Sequence, residues 1–199
     1  IDQAINQAES KKRKRRPLRS GTSRSRIQSG IVKWADSPTP IATIQPVVRT
    51  SYRKNPTLDA TILSLCSAGF QEPLVFSEPD SPERALETLR FTKQLKPFRS
   101  FITTCEWLLK NSESDWFLLC EDDVEFRDGA ADLVRTYPLS STQVLSLYVS
   151  TDQQKSVGGE GFAAVKGDLH GSLSYLVHRE TVAKVLASET FKKWPSKDR

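Results

Sequence analysis

From residue 41 onward, apolar and polar positions follow a repeating order. Ile41–Val48 is rich in β-branched residues and predicts a first strand. Asn55 and Pro56 read as a helix start, with Asn as N-cap and Pro in the first helical position. Leu58, Ile62, Leu65 and Cys66 then recur at the spacing of one helix face, and Gly69 follows as a left-handed stop. Leu74-Val75-Phe76 predicts a short second strand. Ser81–Leu95 carries a weaker pattern, read as loop with partial helix. Phe98, Phe101, Ile102, Cys105, Leu108 and Leu109 form a clear helical stripe. Trp116–Cys120 is apolar throughout, as expected of a strand covered by helices on both faces. Val144–Val149 and Leu173–Val177 predict further strands. Thr181–Ala187 predicts a helix with Val182, Val185 and Leu186 inward. Strands separated by helices imply an α/β domain with a mostly parallel sheet flanked by helices.

This pattern is absent before residue 41. Residues 1–40 hold 10 Lys or Arg against 3 Asp or Glu, with the run Lys11–Arg16 followed by Pro17 and a Ser/Arg/Gly stretch. Too few apolar residues are present there to bury a core, so the composition predicts a basic flexible tail over 1–40 and a domain over 41–199. Such a block can contact nucleic acid weakly through phosphates, and a solvated basic linker has the same composition. The domain holds 19 basic against 21 acidic residues, so the pI of about 9.2 belongs to the tail. No apolar run approaches the roughly 20 residues of a spanning helix, and residues 1–6 do not read as a signal peptide. Cys66, Cys105 and Cys120 show no C-x-x-C spacing. No disulfide framework or cysteine-built zinc site is expected, Cys66 and Cys105 read as small buried hydrophobes, and a reducing, cytoplasmic setting fits. The chain has no Met, starts at Ile1 and stops at Lys197-Asp198-Arg199 just after Trp194-Pro195, which predicts a fragment whose domain is truncated at its C-terminal end.

Three segments carry candidate chemistry. The apolar run at Trp116 ends in Glu121-Asp122-Asp123. Ligands of open α/β sheets bind outside the carboxyl ends of strands, and adjacent acids repel unless a cation compensates. Hard oxygen donors suit Mg²⁺ or Mn²⁺, although a solvated acidic turn would have the same sequence. The first strand leads into Arg49-Thr50-Ser51-Tyr52-Arg53-Lys54 just before a helix. Guanidinium forks beside a helix start can hold a diphosphate, and Tyr52 can stack on a base; a surface basic loop reads similarly. The third segment, Val157–Phe162 and Gly167–Tyr175, is glycine-dense and holds Asp168 and His170. Either could act as a base, His170 could ligate a metal, and a plain connecting loop is the competing reading. His178 reads as structural.

Together these segments resemble glycosyltransferases of the GT-A fold, the lipopolysaccharide-type and family 2-like enzymes. The likeness rests on the Thr50/Arg49 strand end, Ala68-Gly69-Phe70, Pro73-Leu74-Val75-Phe76, Trp116–Val124 with its Glu-Asp-Asp variant of the D-x-D motif, and Gly171-Ser172-Leu173-Ser174-Tyr175. It implies transfer of a sugar from a nucleotide-sugar donor to a glycan or other acceptor, assisted by Mn²⁺ or Mg²⁺. Asp123 would be the main metal ligand, with Glu121 and Asp122 supporting. Arg49, Thr50, Tyr52, Arg53 and Asp122 would bind the donor; the base, if the chain holds one, is read from the residues as Asp168, since the part of the fold that often supplies it in this family comes later in the chain. Arg49 and Arg53 are both expected within reach of one shared diphosphate. Two alternatives remain at this point: a two-metal nuclease-like or nucleic-acid-binding protein, with Asp80, Asp152 or Asp168 joining the acids, and an inactive interaction domain that keeps only the fold.

Overall fold

In the computed structural model, which describes residues 41, 43–81, 87–137, 139–148 and 174–192, the apolar run becomes strand β4 (Trp116–Glu121). Five of its six residues are buried. Parallel to it lies β1 (Ile44–Thr50), then β2 (Leu74–Ser77) and β3 (Glu87–Arg90), each parallel to the last. On the other side of β4, β6 (Ser174–His178) runs antiparallel, and β5 (Val144–Ser146) pairs antiparallel with β6 at the edge. The order is β3-β2-β1-β4-β6-β5, so β6 alone is reversed among these six strands.

Strand side chains alternate between two apolar layers. Val48, Val75, Leu118, Cys120 and Leu176 pack on α1 (Leu58–Ser67) and α3 (Ala130–Thr136) through Leu65, Ala131 and Val134. Val47, Phe76, Phe117, Leu119 and Val177 pack on α2 (Pro97–Asn111) and α4 (Arg179–Ala187) through Cys105, Leu108 and Val182. A last turn of helix, α5 (Glu189–Lys192), follows. The α/β expectation is thereby met, with helices on both faces of a mixed sheet. No described helix is long and apolar enough to cross a membrane.

Several local expectations change. The first strand starts at Ile44 and runs to Thr50, although Ile41 is buried just outside it. Helix α1 starts at Leu58, with Thr57 in the N-cap position and no side-chain cap; Asn55 and Pro56 precede it, both exposed. The helix begins where burial begins, since tertiary packing outweighs capping preference. Cys66 is exposed and Thr61 takes its expected place on the inner face. Val185 is likewise exposed, leaving Val182 and Leu186 to face the sheet. Within Ser81–Leu95 the chain forms β3 rather than partial helix; Leu89 packs inward, and Thr88 Oγ1 accepts the Val75 N–H where the β2–β3 register shifts. The strand at Val144 is shorter than expected, and α3 was unforeseen.

Gly69 ends α1 as expected. Its φ is +91°, its N–H donates to the Cys66 carbonyl, and the Phe70 N–H donates to that of Leu65, a Schellman closure. A Cβ there would also stand 3.2 Å from that of Ala131, whose N–H donates to the Ala68 carbonyl. This close approach docks α3 against α1. The tail, the glycine-dense segment through Leu173 and the end after Lys192 lie outside the described residues.

Candidate functional site

The chain builds outward from β1 to β3, then returns to place β4 on the other side of β1. Helices α1 and α2 leave on opposite faces. Strand order therefore reverses between β1 and β4, and at such a reversal the carboxyl ends of the strands border a ligand-sized crevice. The sequence puts Arg49-Thr50 at one of these two ends and Glu121-Asp122-Asp123 at the other. The parallel register sets Arg49 beside Glu121. Downstream, the acidic turn is tied back to α1. The Phe126 N–H donates to Ser64 Oγ at 3.2 Å, and the Phe126 ring packs edge-on against Phe70 at 5.8 Å.

Two charge sets meet here. In the first, Arg49 Nη2 donates to Glu121 Oε1 at 3.2 Å and Nη1 to the Pro97 carbonyl at 3.2 Å, with the guanidinium over Phe101 at 5.4 Å. The Arg49 side chain is 10% exposed, and its Nε has no hydrogen-bond partner among the described residues. Burial lowers the Arg49 pKa from its ordinary value, opposed first by Glu121. In the second set, Thr50 Oγ1 donates to Asp122 Oδ2 at 2.5 Å, and Arg53 Nε donates to Asp122 Oδ1 at 2.8 Å. Arg53 Nη1 reaches Asp123 Oδ2 at 3.3 Å. Asp122 is 2% exposed, so both its oxygens are held by the protein.

The structure thus brings Thr50, Arg53, Asp122 and Asp123 together, with Glu121 and Arg49 adjoining. It corrects the expectation for Arg49. Alternation along β1 turns Arg49 towards the α2 layer and Thr50 the other way, so Arg49 is a buried partner of Glu121, Phe101 and Pro97. The presented guanidinium is that of Arg53, whose side chain is 35% exposed. Tyr52 stands 62% exposed beside it. Asp80 takes a hydrogen bond from Gln94 at 3.5 Å. Asp152, Asp168 and His170 lie outside the described residues. His178 is structural, as expected: its ring stacks edge-on to Trp116 at 5.0 Å and its Nδ1 accepts the Glu180 N–H that opens α4.

The cations that compensate the three acids in this structure are guanidinium groups. No group of three metal-ligating side chains converges among the described residues. The donor set still fits Mg²⁺ or Mn²⁺ of the kind held by one or two carboxylates and completed by water and substrate phosphates. Asp123, 35% exposed, and Glu121, 25% exposed, present hard oxygens, whereas Asp122 does not.

One residue was missed from sequence, and a second, Tyr175, was named only within the Gly171–Tyr175 segment and given no role. Glu78 follows β2 and is buried, its Oε2 accepting the Leu95 N–H at 2.7 Å. Burial raises its pKa, partly offset by that N–H. The signal was present, a carboxylate directly after a third parallel strand. Tyr175 on β6 is close enough to Glu121 for the two to interact; its phenol is pushed up by burial and then by Glu121. The Cys105 and Cys120 thiols are pushed up to about 12 by burial, which suits packing and not nucleophilic chemistry.

Fold and site together define an α/β protein with charged residues at a topological switch point. No known protein-family model matches this chain, and no curated protein matches it.

Proposed function

We propose that this chain is the nucleotide-binding part of a glycosyltransferase with a GT-A arrangement, moving a sugar from a nucleotide-sugar to a glycan or other acceptor with Mn²⁺ or Mg²⁺. The observation that carries this reading is the charge balance at the β1–β4 reversal. Two guanidinium groups against three carboxylates leave a net charge of −1. A diphosphate alone is repelled by that balance, and a diphosphate that arrives with a divalent cation is not. When bound, the metal supplies positive charge to the leaving diphosphate.

The chain's own residues do the rest. Asp123 and Glu121 hold the cation. Arg53 donates to a phosphate oxygen and adds to stabilisation of the leaving group. Tyr52 stacks on the base, and its exposure supports that role. Thr50 and Asp122 fix the position of Arg53. Arg49 holds Glu121 and the start of α2 in place and leaves the donor to Arg53. The acceptor base stays with Asp168, as read from the glycine-dense segment of the sequence, and a cytoplasmic setting fits a soluble nucleotide-sugar pool.

The test is nucleotide release without acceptor. Uridine, guanosine, cytidine and adenosine diphosphate sugars are incubated with the protein and Mn²⁺, and free nucleoside diphosphate is followed by ³¹P NMR. Slow release from one nucleotide class is expected, lost on chelation and in Asp123→Asn. Neither binding nor release with any of the four would overturn the proposal.

A further inference from the structure

The two carboxylate contacts of Arg53 are unequal. Its Nε lies 2.8 Å from Asp122, a side chain 3% exposed and fixed from the other side by Thr50 Oγ1. Its Nη1 lies 3.3 Å from Asp123, a side chain 35% exposed. Charge-assisted N–H···O bonds are strongest at about 2.7–2.9 Å, so the inner contact is the tight one and the outer contact the loose one. The residue sits in the connection between β1 and α1, where neighbouring Tyr52, Lys54, Asn55 and Pro56 are all exposed. One end of the guanidinium is anchored in the protein and the other is a surface contact that can be given up without disturbing the anchor.

Resting on the nucleotide-diphosphate reading above, we propose that Arg53 occupies Asp123 in place of the divalent cation in the ligand-free protein, and exchanges it for phosphate when metal and diphosphate bind together. Nη1 leaves Asp123 Oδ2 and donates to a phosphate oxygen. Nε stays on Asp122. No covalent bond changes, and each charged group keeps an opposite partner before and after. Metal alone must displace Nη1 from Asp123 with no second anion for it to take up, so it binds weakly. Diphosphate alone meets a net negative set. Only the pair satisfies every group, which makes their binding cooperative. Asp122 is then a positioning residue that touches no ligand and supplies the pivot.

The test titrates Mn²⁺ alone, without nucleotide, into the full chain and follows free Mn²⁺ by electron paramagnetic resonance. Arg53→Gln is expected to bind Mn²⁺ roughly threefold to tenfold more tightly than the parent, on the scale of a partly exposed ion pair. The gain should vanish in Arg53→Gln/Asp123→Asn. Lys54→Gln removes an exposed charge next door without releasing Asp123, and should change binding by less than about twofold. Unchanged or weaker Mn²⁺ binding in Arg53→Gln, or an equal gain in Lys54→Gln, overturns the exchange. If Arg53→Gln does not fold, Arg53→Lys serves: a lysine cannot bridge both carboxylates, so tighter Mn²⁺ binding supports the exchange and no gain contradicts it. Nucleoside diphosphate added afterwards to the parent tests the glycosyltransferase reading separately. Failure there leaves the Mn²⁺ comparison standing as its own result.

Discussion

Arginines gather at both ends of β4, and they hold different things. At the amino end, Arg179 donates from Nη1 to the Leu109 carbonyl at 3.0 Å, from Nε to that of Ser114 at 3.1 Å, and from Nη2 to that of Ser112. Its guanidinium lies 5.5 Å over Phe117. Its partners are neutral carbonyls at and beyond the last turn of α2, which lack helical donors of their own and sit at the negative end of the helix dipole. At the carboxyl end, Arg49 and Arg53 hold carboxylates. An arginine on carbonyls completes a helix terminus and has no partner to release. An arginine on a half-exposed carboxylate can exchange that partner for phosphate. The same type of side chain therefore completes a helix terminus at one end of the strand and, in the exchange proposed above, trades a carboxylate for phosphate at the other.

The largest expected effect breaks the amino end. Arg179→Ala should lower stability by about 2–3 kcal/mol, since several carbonyls lose a charged donor at once. Urea unfolding measures it, and nucleotide affinity of the remaining folded protein should stay within about twofold. Lower affinity without lower stability would erase the contrast between the ends. Asp122→Asn comes next, at about 1–2 kcal/mol: the Thr50 hydroxyl keeps a partner and Arg53 loses its charged anchor. Nucleotide affinity should fall as well, which Arg179→Ala should not produce. Asp123→Asn should cost less than about 1 kcal/mol, as befits an exposed pair, while removing metal-dependent nucleotide binding. That separation of stability from binding is the sharpest form of the contrast.

The smallest effect concerns Glu78. Its folded pKa is raised above the ordinary value of 4.5, chiefly by burial. A raised carboxylate binds its proton more tightly in the folded state, so its contribution is most favourable below 4.5 and is lost as pH rises through the folded value. Glu78→Gln should remove that decline and leave stability at pH 7 equal or a few tenths of a kcal/mol higher. Melting curves of parent and variant from pH 4 to 8 compare the two slopes; a steeper decline in the variant would contradict the assignment.

The sheet was largely legible because its central strands are marked by composition. Trp116–Cys120 is apolar with no alternation, and that alone predicts burial on both faces. Leu74–Phe76 and the stripe from Phe98 to Leu109 were equally plain. Strand β3 was not, because Glu87-Thr88-Leu89-Arg90 has one apolar side chain and owes its form to pairing with β2. Helix α3 could have been read from Gly129 followed by Ala131 and Val134, a three-residue spacing too short to stand out. Cys66 and Thr61 exchange places because residue type favours the cysteine inside and helix geometry favours the threonine. At the site, the three acids and the Arg49–Arg53 loop were legible as charges at strand ends. What was not legible is who pairs with whom. That depends on the β1–β4 register and on the alternation that sends Arg49 towards α2 while Thr50 turns to Asp122.

Thermal unfolding with Mn²⁺ and a nucleoside diphosphate, separately and together, tests most directly the claim that the β1–β4 reversal takes a metal and a diphosphate as a pair. Ligands that bind only the folded state raise its stability by about 2.7 kcal/mol at a hundredfold excess over Kd, which for a domain of this size is a rise in Tm of roughly 5–10 °C. The account predicts a shift of that order for one nucleotide class with Mn²⁺, clearly larger than the two separate shifts added, and no such joint shift in Asp123→Asn. The same joint shift in Asp123→Asn, or none with any nucleotide, would contradict it.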